Sequence, residues 1–581
     1  MANGKSWRTA RVRFLNRLHA RLAARARGAT AFVSHPEPRT IGYFARGRQM
    51  LAGNLMFAGH LVEAPDTLLW DLTPPDDAFS EEIHGFGWLD DLAAVGDFKA
   101  RALAQAWLLS WIERYGSGAG PGWTPELAGR RLIRWVHHAL FLLRGQSPEV
   151  SEKVFAALAV QSRFLAKRWQ GAAPGLPRFE ALTGLLYAGI ALEGMEGQLE
   201  PARVALGEEC ARQVDEQGGI PTRNPEELLE VFTLLTWARA ALEEVDLKPD
   251  QSHTTAVDRI APTLRTLRHV DGGLARFHGG GRGLEGRLDH ALAACRNKKK
   301  QSDGLAMGFV RLSGGRTSVI ADAAPPPSGR ASAQAHASTL AFELTSGRRP
   351  VIVNCGSGGG FGEDWRRAGR ATPSHSVLSL QGYSSARLGS PKWVGMVQRE
   401  LLEDLPQHVP TQLSDSEDTV RFEGGHDGYV ALQGLTHARS LELSHDGRSL
   451  QGEDYLIALD DPAKKRFDKA LDASRLEGLP FEARFHIHPE ADVAIDLGGT
   501  AVSMALRSGE IWVFRYDGPA KMTLEPSVYL EKGRLRPRAT QQIVLTGRAM
   551  EYATRVQWSF AKAQDTAIAI RDLAQDQVDV T

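Results

Sequence analysis

The feature that most constrains this chain is a change of hydrophobic period near its middle. From about residue 80 to 295, apolar residues recur every three or four positions, the spacing that lays one stripe along an α-helix. The pattern runs through FKARALAQAWLLSWIERYG, RRLIRWVHHALFLLRG, VSEKVFAALAVQSRFLAKRW, FEALTGLLYAGIALEGM, ARVALGEECARQVDEQ and PEELLEVFTLLTWARAALEEV. Gly, Pro and polar clusters separate these segments, as helix ends require. Past the polar run Cys295 to Gly304 the period falls to two and turn signals become frequent. Striped helices bury themselves on other helices, and alternating strands bury one face on another sheet. The expected fold is therefore an α/α toroid followed by an antiparallel β-sandwich. With 581 residues the chain exceeds one hydrophobic core. The expected division is a basic helix over 1–28, the toroid over 29–295, the sandwich over 305–562 and a tail over 563–581, with 29–80 an irregular lead-in.

Within the second half, TLAFEL and PVIVNC flank SGRRP as a hairpin, and ARSLELS and RSLQGEDYLIAL flank a tight turn at His445-Asp446-Gly447. In FEARFHIH, Ala483, Phe485 and Ile487 alternate with Glu482, Arg484, His486 and His488, so the histidine pair reads as a polar sheet face. No helix is expected here before the tail. The Gly-rich run Gly356 to Gly362 lacks the strand-turn-helix setting of a nucleotide site and reads as a loop. Trp107, Trp111 and Trp135 fall in helical stripes and belong to the core.

The 69 basic and 69 acidic residues cancel, which argues against a dedicated nucleic-acid binder. Cys210, Cys295 and Cys355 are far apart and imply neither a disulfide framework nor a thiolate metal site. The N-terminus lacks the apolar h-region of a secretory signal, so no signal peptide is expected, and no apolar stretch approaches the ~20 residues that span a bilayer. The N-terminus reads KSWRTARVRFLNRLHARLAARARG, where Val12, Leu15, Leu18 and Leu22 recur at helical spacing among arginines. Such a helix docks on its own protein or lies on an anionic membrane. A cytoplasmic location, with or without inner-membrane attachment, is the expectation.

Several segments, in order, resemble the heparinase II/III-like family. His336 to Gly356, Arg370 to Leu380, His426 to Leu443 and Leu450 to Leu456 are similar to its C-terminal domain. HGFGWLDDLAAVG, RRLIRWVHHAL, GGIPTRNPEELLEVF and HVDGGLARFHGG are similar to the helical part of an alphaproteobacterial branch. The resemblance implies a polysaccharide lyase, which removes the C5 proton of a uronate and expels the 4-linked sugar. That elimination needs a group to neutralise the carboxylate, a base and an acid. Glu227 stands where the family places its tyrosine, and Gln334 where an HxHxD motif has its first histidine. The helix start LPRFEALTGLLYAG offers Arg178 and Glu180 in place of Asn or His. Where some members hold zinc, this chain has His336, Asn354 and His375; a carboxamide is a weaker zinc ligand than a carboxylate.

Candidate catalytic residues are therefore His336 and His375 as acid, base or ligand, together with Tyr429, His437 and Arg439, taken as one β-segment. Arg439 and Arg223 are candidates to meet a sugar carboxylate. Arg223 precedes a helix N-terminus, and Asn224 is expected to cap it. His278 is placed on a connecting loop. One reading is a lyase acting on a uronate-containing acidic glycan, a glycosaminoglycan among the options, with no cofactor beyond a structural zinc. A second is a non-catalytic glycan-binding or envelope-assembly protein that keeps the fold. A third, glycoside hydrolysis, needs facing carboxylates such as Glu227 with Glu180 or Asp271.

Overall fold

A computed structural model of the chain describes residues 3–563 except 27, 296, 300–303, 395 and 396, together with residue 572. The polar run at the period change and the C-terminal tail lie partly and almost wholly outside the described residues. Helices occupy the first half, the last being Arg287–Ala293, and strands take over from Phe309–Gly314. The lead-in contains a helix, Phe44–Leu51, and a hairpin, Asn54–Phe57 with His60–Glu63.

Helices start where the sequence supplies caps. Thr124, Ser147 and Asn224 each accept a backbone N–H of the first turn, and each is followed by proline at the first helical position. Helices Pro125–His137 and Leu176–Ala191 approach closely through glycine. A Cβ on Gly129 would lie 2.2 Å from the carbonyl oxygen of Glu180, and one on Gly184 would lie 2.5 Å from the Gly129 Cα. Only hydrogen at these positions permits that backbone contact, and it sets Arg130 beside Glu180. Trp107, Trp111 and Trp135 are buried with Phe86 and Trp88 in an aromatic cluster.

The second half forms two antiparallel sheets packed face to face. One runs from the edge strand Thr411–Asp415 through Thr419–Tyr429, Leu435–Ser444, Ser449–Ile457, Ala553–Lys562, Ile511–Asp517 and Ala501–Ala505 to Asp492–Asp496. The other runs from Ala520–Tyr529 through Arg538–Ala549, Leu479–Ile487, Arg349–Val353, Phe342–Ser346 and Thr317–Asp322 to Phe309–Gly314. Between them Phe342 stacks on Trp558 at 5.5 Å, and Phe485, Phe514 and Phe560 complete the core. The SGRRP hairpin and the His445-Asp446-Gly447 turn form with Gly347 and Gly447 at positive φ.

Three expectations are corrected. Helix Asp461–Ala473 lies within the sandwich half, where none was expected: Asp460 caps it, Pro462 stands in its first turn, and Ala463 and Phe467 are buried. His486 and His488 are buried rather than on a solvated face, with His486 bonded to Ser527 Oγ and the Pro373 carbonyl. Tyr429 ends one strand while His437 and Arg439 lie on the next, separated by the short helix Val430–Gln433.

The N-terminal helix Asn3–Ala23 packs on Pro148–Arg168, with Asn16, Ala20 and Ala23 buried and Arg168 Nε donating to Asn16 Oδ1 at 2.8 Å. Of the expected stripe, Leu18 and Leu22 face outward and join Phe14, exposed by 40, 48 and 64%. No helix among the described residues is long and apolar enough to cross a membrane.

Candidate functional site

The predicted residues fall into two buried networks and one cleft. In the first network Asp322 is the hub. It accepts Arg223 Nη2 at 2.6 Å and Ser338 Oγ at 2.7 Å, and its Oδ2 lies 3.4 Å from His278 Nε2. His278 Nδ1 accepts the backbone N–H of His336, so the His278 proton is on Nε2, facing Asp322. His375 Nδ1 lies 2.9 Å from the Ala371 carbonyl and must donate there. Its Nε2 therefore accepts from His336 Nδ1 at 3.0 Å. Burial holds all three imidazoles neutral; the pKa of His375 is pushed down to about 4. Burial alone would raise the carboxyl of Asp322, but Arg223 and His278 outweigh it and hold it well below the usual range.

This arrangement does not fit zinc. His336 and His375 are hydrogen-bonded to one another, and Asn354 Oδ1 is occupied by the N–H of Ser376. Among the described residues no three His, Cys, Asp or Glu side chains are grouped to hold a metal ion.

Arg223 does not reach into the cleft. All five of its N–H groups are spent on the sandwich: on the carbonyls of Met307, Gly308, Ala324 and Pro325 and on Asp322. Its guanidinium also lies 4.6 Å over the Phe309 ring. The left-handed φ of 49° at Arg223 aims the side chain across the domain boundary. Asn224 caps the next helix as expected. His278, taken as a loop residue, is 1% exposed and is part of the network.

The second network centres on Asp454, which accepts two bonds from Arg439, one from His437 and one from Trp558 Nε1. Arg439 also donates to the carbonyls of Leu340 and Ser376 and is 1% exposed, so it has no route to a sugar carboxylate. His437 contacts His426 at 3.2 Å rather than His336 or His375. Tyr429 is 1% exposed, and burial raises its pKa.

The cleft lies where the helical half faces the sandwich, and its residues are glutamates. Arg130 Nε pairs with Glu180 Oε1 at 2.7 Å, leaving Oε2 buried without a hydrogen-bond partner. Glu126, one turn before Arg130, and Glu81 sense the same guanidinium, and burial pushes all three carboxyls up. Burial likewise brings Glu227 up to about 7, with Glu180 adding to the rise against Thr222 and Lys532. The sandwich contributes Arg399, which acts on Glu81, and Lys532, which pairs with Glu226 at 2.8 Å. Arg178 is spent on the buried Glu209. Asp271 lies elsewhere, beside Arg276, His269 and Arg282. Of the carboxylate pairs named from sequence, only Glu227 with Glu180 comes together. The motif RRLIRWVHHAL held Arg130 without marking it, since an arginine on a helix surface is unremarkable in sequence.

Residues 296–559 match the family model described as heparinase II/III-like, C-terminal. FtsZ-localized protein C of Caulobacter vibrioides (strain NA1000 / CB15N) is 31% identical over 540 residues, covering 90% of this chain and 88% of that protein. A heparinase III crystal structure superposes with a TM-score of 0.66 at 14% identity, covering 94% of this chain and 88% of that one. Heparan sulfate lyase HepC from Pedobacter heparinus gives 0.53 at 14% identity, covering 94% and 87%.

Proposed function

The chain belongs to the heparinase II/III-like family, and on that premise we propose that it is a non-catalytic envelope-assembly protein that keeps the lyase fold. The carrying observation is the cleft: Glu81, Glu126 and Glu180 act on one arginine that is already paired, and Glu227 lies beside Glu180. An elimination at a uronate needs cationic or hydrogen-bonding help at the substrate carboxylate. A polyanion entering this cleft meets like charge instead, and Arg223 and Arg439 have no donors to offer it. The relative named as FtsZ-localized supports work alongside FtsZ, and the outward stripe Phe14, Leu18 and Leu22 among exposed arginines supports contact with an anionic membrane surface. The two together support an inner-membrane location on the cytoplasmic side.

Two assays test this reading. The purified protein should co-sediment with FtsZ polymers and with anionic vesicles, and Leu18→Asp should abolish only the vesicle binding. Incubation with a panel of uronate polysaccharides should produce no ultraviolet absorbance from unsaturated uronate. A steady rise would restore the lyase reading.

A further inference from the structure

The sheet that carries Ala520–Tyr529 at its edge has a face turned away from the sandwich core. Phe342 and Phe485 point into that core, so by strand alternation Glu343 and His486 point out of it. His488 follows on the outer side, and its ring meets Tyr529 edge-on with centroids 5.2 Å apart. Tyr529 in turn stands opposite Arg538 in the ladder. The chain between helices Gln251–Thr266 and Arg287–Ala293 crosses this face. Its Arg276 is anchored there by Glu343, whose Oε2 accepts the Arg276 backbone N–H at 3.1 Å and lies 3.8 Å from Nη1. His269 Nε2, from the same stretch, contacts that oxygen at 3.2 Å.

Three side chains at this junction are buried yet have donors to spare. Arg276, Tyr529 and His488 are 9, 2 and 7% exposed. The 3.8 Å contact of Arg276 is beyond hydrogen-bond range, and its guanidinium has no acceptor among the described residues. The Tyr529 hydroxyl has none either; burial pushes its pKa up to about 12, so it keeps its proton. His488 Nδ1 accepts the backbone N–H of Glu490 at 3.3 Å, and burial holds the ring neutral, which puts its proton on Nε2. These atoms still reach solvent, since none is sealed in the interior without a partner. The neighbouring carboxylates are engaged: Asp271 accepts the Gly273 N–H at 2.9 Å, Glu531 pairs with Arg534 and Arg538, and Glu490 with Arg349. Arg282 is exposed at the edge of the same stretch, its Nε over Gly273 at 3.3 Å from the place of a Cβ.

Donors without acceptors call for an anion rather than a metal ion. Tyr529 and Glu343 act most strongly on Arg276, and Arg276 acts on both Tyr529 and His488, so the three donors address one space. Water can satisfy any one of them singly. A guanidinium fork, a phenol and an imidazole N–H together match the several oxygens of one charged group. The planar fork spans two oxygens of a carboxylate or phosphate, and chloride has no second atom to meet it.

We propose that Arg276, Tyr529 and His488 form a binding site for the oxyanion group of a small ligand, with Arg282 at its mouth. Phosphate esters and acidic sugars both carry such a group. The site stands whether or not the cleft is catalytic, because the uronate absorbance assay reads a reaction and not this binding.

Isothermal titration of the full-length protein with sodium phosphate, and separately with sodium glucuronate, tests this in chloride of fixed ionic strength. Expected is one-to-one binding with a dissociation constant of about 1 mM or below for at least one of the two. Tighter binding of phosphate assigns the site to phosphate esters; tighter binding of glucuronate assigns it to acidic sugars. Tyr529→Phe should weaken binding about tenfold, a hydrogen bond to a charged group being lost. Arg276→Lys keeps the charge opposite Glu343 but loses the fork, and should weaken binding about as much. Arg282→Gln should weaken it only about threefold, an exposed charge being screened. Arg515→Gln removes the same charge from an exposed position on the other sheet and should change nothing. Thermal unfolding of each variant checks that it is folded. Absence of binding by both anions, binding unmoved by Tyr529→Phe, or equal weakening by Arg515→Gln would each overturn the proposal.

Discussion

At the scale of single residues, the arginines best placed by sequence to meet a substrate are structural. Arg223 joins the helical half to the sandwich with five hydrogen bonds, four of them to main-chain carbonyls and one to the buried Asp322. Arg223→Ala removes the only cation paired with the buried Asp322 among the described residues, leaving it Ser338 and the neutral His278, and a loss of about 3–5 kcal/mol is expected in denaturant unfolding. Arg223→Lys should recover only part of it, because an ammonium cannot reproduce the fork. Glu227→Gln should act in the opposite direction. An acid whose folded pKa, about 7, lies above its unfolded value weakens the fold as pH climbs between them. Removing its charge should therefore raise stability at pH 8 by about 1–2 kcal/mol, after allowance for solvent at the cleft, and change little at pH 4. The sequence motif showed Glu227 replacing a tyrosine; it could not show the neighbours that set its protonation.

At the scale of elements, the helical positions in sequence were legible because the apolar stripes are long and their caps explicit: Thr124-Pro125, Ser147-Pro148 and Asn224-Pro225. The helix Asp461–Ala473 carries the same signal, Asp460-Asp461-Pro462, but is polar on most of its surface, so an expectation built on apolar period passed over it. The close crossing of Pro125–His137 on Leu176–Ala191 was also hidden, because glycines inside a helical pattern read as weak points rather than contacts. A methyl group at Gly129 would meet backbone that cannot rotate away. Gly129→Ala is expected to cost about 1–3 kcal/mol by overpacking, visible as a lowered thermal midpoint, and to shift Arg130 away from Glu180. Gly145→Ala, where no atom lies within 4 Å but φ is +77°, gives the comparison: backbone strain without collision.

At the scale of the whole molecule, the change of period located the two architectures, since period depends on local geometry alone. The two networks and the cleft depend on which strands and helices become neighbours, which period does not encode: His437 meets His426 and Asp454 across strand registers, not the histidines nearest it in motif order. Burial makes the molecule acid-sensitive in a particular way. His84, His137, His253, His375 and His486 are among the buried imidazoles whose pKa is lowered, to values of about 3 or 4. Below pH 6.5 the unfolded chain takes up protons that the folded one refuses, so stability falls with pH from that point, at up to about 1.4 kcal/mol per imidazole per pH unit. Asp322 and Asp454 behave differently: their stabilisation is complete above pH 4 and fades only in stronger acid. The unfolding midpoint should thus begin to drop between pH 6.5 and 5, before those carboxylates protonate. A flat profile down to pH 4 would show that the histidines are solvated.

The docking of Asn3–Ala23 on Pro148–Arg168 has a consequence in time. This helix finds its seat only after about 125 further residues have been synthesised. At ribosomal speeds of ~5–20 residues per second, this leaves it without that seat for roughly 6–25 s. Throughout that interval the small-residue face of Ala20 and Ala23 is bare alongside the arginines, and a nascent chain still held by its ribosome can meet a bilayer with either side of the helix. Its first encounter with the membrane can therefore precede the completion of its fold.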